Sequence, residues 1–475
     1  MSLVSDMIMK DAAAEDEQRL ADINKRWQAY YGKIAKPLKV KPGQIDDNLR
    51  LNFAGGVVNE GVAFLFGHDI DFVVGANTTI GEAEGNPHQA ADDWLEACWK
   101  KNKGMTLLQE LAINGGVAGH AYLKVIEPGT VQNQTPYPRL VLVDPATISA
   151  LWDPHDYKMV LKWTIAWHGV NPDTGRPIAF RQLITKDAGG ASWTIVDQHS
   201  DERSSVWTTD DTALWPYAWS PVFHCQNLPA PNQFYGMADL EDDVIEAAAA
   251  INFTASNIGR ILRFHAHPKT WGTGFQAAQL DVAVDGTIIL PSKDATLQNL
   301  EMQSDLSSSL EFYKRMLEAF YAVSRTPEIT TGNVGEGLGT LSGLALQVLY
   351  GPLVRKNGTK QRLYGDMLTD LSARLLEMSG QGADLDVSIS WPSPLPVDPV
   401  AERSALQTDT AMGVASKATV AEKLGYNWNH ENDRIQQETK DAQALLPETK
   451  GAQAPGTQNN GTQDAGNSTG KSSAP

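Results

Sequence analysis

Cysteine is nearly absent: Cys98 and Cys225 are the only two in 475 residues. Two thiols so far apart form neither a CxxC redox pair nor a metal cluster. They fit a reducing compartment, with both buried as small apolar side chains. Long apolar runs are absent too. Segments such as Val62–Phe66 and Ala247–Ile251 fall far short of the ~18–20 residues of a membrane helix, so no membrane partner is expected. The opening MSLVSDMIMKDAAAEDEQRL has acids where a signal peptide needs a basic start and an apolar core, so secretion is not expected. Bases are outnumbered, with 39 Lys and Arg against 57 Asp and Glu and a net charge of −18. A free-standing DNA-binding module shows a basic face. Acid dominance argues against tight wrapping of nucleic acid, but is compatible with a surface past which DNA slides.

Catalytic signatures are also missing. No GxSxG, HExxH or paired CxxC occurs. Gly470-Lys471-Ser472 resembles the end of a P-loop, but Ala465 stands where the first glycine belongs and no strand precedes it. Gly335, Gly337 and Gly339 do not make GxGxxG, and they join two helices instead of a strand and a helix. His265 and His267 form an HxH pair without an obvious third ligand. The sequons at Asn252 and Asn357 have no secretory route. No enzyme, catalytic residue, cofactor or metal site is therefore expected. The catalytic alternative is a cytosolic hydrolase or nuclease using the acids near Asp239. Charge complementarity at a helix N-terminus explains Asp239, Glu241, Asp242 and Asp243 more simply.

What is present reads as a chain of several domains' length. A polar helix pattern spans about 11–31 and ends in Trp27, Tyr30 and Tyr31. Lys33, Lys36, Lys39 and Lys41 follow, either a basic arm touching DNA or a linker broken by Pro37 and Pro42. Residues 48–66 are apolar-periodic, and HDIDFVVG alternates as a strand should. Helices are expected at 88–102 and 105–116, and a strand from Gly119. Residues 137–226 carry short β-rich runs separated by Pro, Gly and Asp turns. Seven of the 13 tryptophans lie there, between Trp152 and Trp219. Aromatics on alternating strands pack a core more often than they stack bases; a free-standing β-sandwich binding module is the competing reading of this region.

The most informative stretch is 236–380. Its first helix, ADLEDDVIEAAAAINFTASNIGRILRF, begins acidic and ends basic. Leu240, Val244, Ile251, Ile258 and Leu262 recur at spacings of four and seven as one apolar stripe, and Ala247–Ala250 allow close approach. A strand-rich insertion follows at about 265–300. A second helix at about 304–324 carries Leu310, Tyr313, Leu317 and Phe320 on one face. The glycine-rich TTGNVGEGLGTLSG leads into a third helix, expected from about 340 to 378 with a kink at Gly351-Pro352. Strand LDVSISW, a Pro-rich turn and three short helices (400–412, 417–424, 430–445) follow. From 447 the composition predicts a disordered tail.

This order resembles the portal proteins of tailed double-stranded DNA bacteriophages, specifically the siphophage type. The residues that carry the likeness are NEGVAFLFGHDIDF (Asn59–Phe72), GHAYLKV (Gly119–Val125), NQFYGMADLEDDVIEAAAAINFTASNIG (Asn232–Gly259), SGLALQVLYGPLVRK (Ser342–Lys356) and MGVASKATVAEKLGYNWNHENDRIQQE (Met412–Glu438). The resemblance implies an α+β portal fold: wing (1–235), first stem helix (236–264), clip (265–303), second stem helix (304–325), tunnel loop (326–341), long kinked wing helix (342–380), crown (381–446) and tail (447–475). It implies a closed homo-oligomeric ring, usually a dodecamer, at one capsid vertex of the virion, made in the host bacterial cytoplasm. Double-stranded DNA would be packaged through it by the terminase large subunit and later ejected. The head-to-tail adaptor, major capsid and scaffolding proteins would be its other partners. Thr331, Asn333, Val334, Glu336, Leu338 and Thr340 would line the DNA channel. Leu240, Val244, Ala248, Ile251, Ile258 and Leu262 would make stem contacts between subunits. Trp271, Asp281, Asp285 and Ile288 would form the clip docking surface.

Overall fold

The computed structural model describes residues 3–33, 37–43, 46–75, 88–171, 175–201, 206–266, 270–274, 281–282, 288–289, 293–299, 306–327, 347–382, 385–395, 399–424 and 428–444. They fall into two compact units, Met1–Pro396 and Val397–Pro475.

The first unit opens with helix α1 (Leu3–Tyr30), longer at its N-terminal end than the polar pattern suggested. Helix α2 (Phe53–Phe66) starts later than its apolar pattern, because Asn52 accepts a bond from the Gly55 N–H and caps it there. Strand β1 (Asp71–Val74) leads to α3 (Gln89–Lys101) and α4 (Gly104–Ala118). Gly119 ends α4 in the left-handed region at φ +89°, and a Cβ there would lie 2.5 Å from the Gly236 carbonyl oxygen. Only glycine fits this crossing.

Strand β2 (His120–Ile126) is central in a three-stranded antiparallel sheet, between β3 (Arg139–Val143) and β9 (Val222–Gln226). The intervening chain is a five-stranded meander: β4 (Ile148–Asp153), β5 (Asp156–Val170), β6 (Pro177–Lys186), β7 (Trp193–Asp201) and β8 (Thr208–Trp215). Trp163, Trp193 and Trp215 are buried in the core behind it. Each indole N–H has a partner: Ser220 Oγ at 2.9 Å, the Ala218 carbonyl at 3.2 Å and the Trp219 carbonyl at 2.9 Å. These three tryptophans thus pack the core, while Trp167 is exposed, and the sheet shares that core with α3, α4 and the long helix α7 (Gly351–Ser379).

Helix α5 (Asp242–Ala266) follows, then two short ribbons. Strand β10 (Thr270–Thr273) pairs with β13 (Thr296–Asn299), and β11 (Asp281–Val282) pairs with β12 (Ile288–Ile289). Helix α6 (Ser307–Ser324) completes the segment. The expected kink at Gly351-Pro352 is not inside a helix. Residues 347–349 are helical, Tyr350 breaks the run, and α7 begins at Gly351. Proline sits in the first turn of α7, where its missing N–H has no helical acceptor to lose.

Strand β14 (Val387–Ser390), expected with the C-terminal helices, pairs instead with β1 in the first unit, Phe72 opposite Ile389. The second unit holds α8 (Pro399–Ala411), α9 (Lys417–Lys423) and α10 (Trp428–Ala444). These match the three short helices read from the pattern.

Candidate functional site

Helices α5 and α6 pack against each other and against α1, α2 and α4 around a second core. Leu240, Val244, Ala248, Ile251 and Ile258 are all buried within the single chain. Phe53 and Phe320 meet in it at 5.5 Å. The apolar stripe therefore serves the protomer's own core, because α2 and α6 cover it. Of the six stem residues named from sequence, Leu262 is the exception, 50% exposed beyond the end of that core. The apolar side chains that face outward on this pair are Phe253, 48% exposed, and Phe312, 58% exposed, together with Leu310 and Val323.

An extended strap, residues 46–52, runs along α5. The Leu51 N–H donates to Asn252 Oδ1 at 2.9 Å, and Asn252 Nδ2 returns a bond to the Leu51 carbonyl at 3.0 Å. Ser256 Oγ accepts from the Leu49 N–H at 2.9 Å. Arg260 holds both oxygens of Asp47, at 2.7 and 3.1 Å, and Arg263 adds a third bond at 2.6 Å. The repeat has a geometric cause: two extended residues advance ~6.6 Å and four helical ones ~6 Å, so residues 51, 49 and 47 meet 252, 256 and 260 in step. This ladder explains why α2 cannot begin at Asn48.

At the root of α5 lies a buried charge junction. Asp239 accepts from Lys356 Nζ at 3.0 Å, from Lys360 Nζ, and from Asn227 Nδ2 at 3.3 Å. All three charged side chains are almost fully buried. The Asp239 N–H donates to the Gly116 carbonyl at 2.8 Å, and the Tyr364 hydroxyl donates to Asn227 Oδ1 at 3.3 Å. Burial pushes the Asp239 carboxyl up, but Lys360 and Lys356 outweigh it and hold it below the ordinary range. Burial lowers the Lys360 ammonium pKa, and Asp239 restores part of that shift. Glycines make room: a Cβ on Gly116 would lie 3.0 Å from Asp239 Oδ2, and one on Gly61 3.4 Å from it. On the same helix, Lys356 Nζ also donates to the Ser324 carbonyl at 3.3 Å, and Asn357 Nδ2 to the Phe64 carbonyl at 2.9 Å.

The acids 239–243 are thus individually engaged, and more than a general response to a helix end. Glu241 bonds Arg26 and the Ala238 N–H, Asp242 bonds Lys25, and Asp243 bonds the Val244 N–H. A carboxylate sealed between two lysines has no room to act as a hydrolytic base. Among the described residues no group of three or more His, Cys, Asp or Glu is arranged to hold a metal.

Trp271 is 48% exposed on β10. Asp281 and Ile288 lie in β11 and β12. Asp285 and the channel residues Thr331, Asn333, Val334, Glu336, Leu338 and Thr340 lie outside the described residues, as do His267 and Lys36. Asn252 and Asn357, read as sequons, are buried structural donors. Both cysteines are buried; burial pushes the Cys98 thiol up to about 12 and the Cys225 thiol higher still. A cavity of about 390 Å³ borders the aromatic core, lined by Trp163, Trp193, Trp219 and Phe234 with Asp366 and Asp370 of α7. Sequence reasoning missed the Asp239–Lys356–Lys360 junction. The available signal was a pair of lysines one helical turn apart in line with Leu353, Tyr364, Met367 and Leu371 on α7.

Among solved structures, the chain is similar to the neck of a native GTA particle computed with C12 symmetry, at 12% identity, with 78% of this chain and 89% of that one covered and a TM-score of 0.42. It is also similar to a chain of the virion of the native gene transfer agent particle, at 12% identity, the same coverages and a TM-score of 0.40. Both likenesses are too distant to add to the argument. Comparison with curated proteins finds no match. The family model for phage portal proteins, SPP1 Gp6-like, matches residues 232–445. That match takes in α5, α6, α7 and the three C-terminal helices, and over this stretch the chain is similar to the phage portal protein family.

Proposed function

We propose that the chain is the subunit of a portal ring, the channel at one capsid vertex through which double-stranded DNA enters and leaves a phage-like particle. The family match across 232–445 carries this reading. In it, α5 and α6 are the stem, the segment 265–303 is the clip that docks a terminase motor and later an adaptor, 326–341 is the loop facing DNA, and the C-terminal helices are the crown. A closed ring uses two different faces of each subunit. The exposed Phe253, Leu262 and Phe312 on α5 and α6 supply apolar area for such contacts, while the inward stripe holds the protomer together. A net charge of −18 suits a wall past which DNA slides without sticking.

Negative-stain microscopy of the purified protein tests the reading. Rings with an axial hole are expected; monomers under every condition would refute it. Deleting Asp281–Leu290 should leave rings intact and abolish motor docking, and normal packaging by that deletion would overturn the clip assignment.

A further inference from the structure

One carboxylate needs one cation, yet Asp239 is held by two buried lysines. Lys360 alone neutralises it. A second buried ammonium leaves the cluster with a surplus positive charge, which is unfavourable in the interior unless further negative groups meet it. The additional group is the Ser324 carbonyl, accepting from Lys356 Nζ at 3.3 Å. Ser324 is the last residue of α6, where the helix dipole concentrates partial negative charge on unpaired carbonyls. Directly after it the chain turns away: Arg325 is left-handed at φ +58°, and the Ser324 and Thr326 hydroxyls bond each other at 2.6 Å in the interior. The same chain re-enters the core at α7, which starts five residues before Lys356.

We propose that Lys356 is a positioning residue whose role is to tie the end of α6 to the root of α5 and to α7, fixing the chain where it leaves α6 at 324–327. Its surplus charge is kept for that tie. Asn357 makes the parallel bond to the C-terminal turn of α2 through the Phe64 carbonyl, so two adjacent side chains of α7 gather two helix ends. That the chain beyond α6 faces DNA rests on the portal reading; the tie itself is a property of one protomer.

Hydrogen exchange and thermal unfolding of the full chain separate the two lysines. Lys356→Met leaves a neutral Asp239–Lys360 pair, so the midpoint of unfolding should change little. Protection of the amides at 321–326 should fall on the order of tenfold, the share of one charge-assisted bond at a helix end. Lys360→Met should lower the midpoint clearly more, without a selective loss at 321–326. Unchanged exchange at 321–326 in folded Lys356→Met overturns the proposal. So does a Lys356→Met chain that cannot fold, since Lys356 would then be a required counter-ion. Failure to find rings by microscopy would sink the portal reading and leave this exchange result standing.

Discussion

Replacing Asp239 by Asn keeps the shape of the side chain and removes the charge that Lys356 and Lys360 share. The amide oxygen can still accept one bond, but two ammonium groups then face each other inside a core where both are almost fully buried. Breaking a buried ion pair by deleting one partner costs about 3–5 kcal/mol. Loss of a proton from a lysine relieves part of the repulsion, so the lower end, about 3 kcal/mol, is expected at pH 7. Urea unfolding followed by the fluorescence of Trp163, Trp193 and Trp215 in the same compact unit measures it. The pH dependence adds a second check. The folded carboxyl is held below its ordinary range, so its stabilising contribution is complete above the unfolded value and fades as pH falls through the lowered folded one. The gap between wild type and Asp239→Asn should therefore narrow below about pH 4. A loss under about 1 kcal/mol at pH 7, or a gap that widens on acidification, would refute the junction as a paired charge cluster.

Gly115→Ala would place a Cβ 1.8 Å from the Tyr364 hydroxyl oxygen. Overpacking of about 1–3 kcal/mol is expected, partly recovered in the double variant with Tyr364→Phe; simple additivity in denaturant titrations would disprove the contact. Asn252→Ala removes both bonds to Leu51 and should free the strap, seen as faster limited proteolysis within 46–52 at little change in fold. Phe253→Glu should leave the unfolding temperature near that of wild type but shift sedimentation toward small species; unaltered assembly would remove Phe253 from the subunit contact. Cys98 and Cys225, buried and with raised thiol pKa values, should ignore a thiol reagent at about pH 8 until denaturant is added, and rapid labelling of the native chain would contradict their burial.

Helix and strand identity was legible because it rests on local periodicity. The stripe on α5, the alternating runs of the meander and the three C-terminal helices all carry their pattern within a few residues of themselves. Element starts were less legible where a distant partner decides them. Asn48 to Leu51 has the composition of a helix start, but Asn252 and Ser256 hold its backbone extended. Gly351-Pro352 looked like a kink within a helix, yet the break falls at Tyr350 and proline takes its tolerated place in a first turn.

The sequence by itself determined the order of the described elements and the family likeness, because both are written in local spacing and composition. Only the tertiary structure decided what the α5 stripe packs against, since an apolar face does not name its partner. It also decided the role of Asp239. Asp239 and its two lysines lie more than a hundred residues apart in the chain, and only folding brings the helices that carry them within reach of an ion pair.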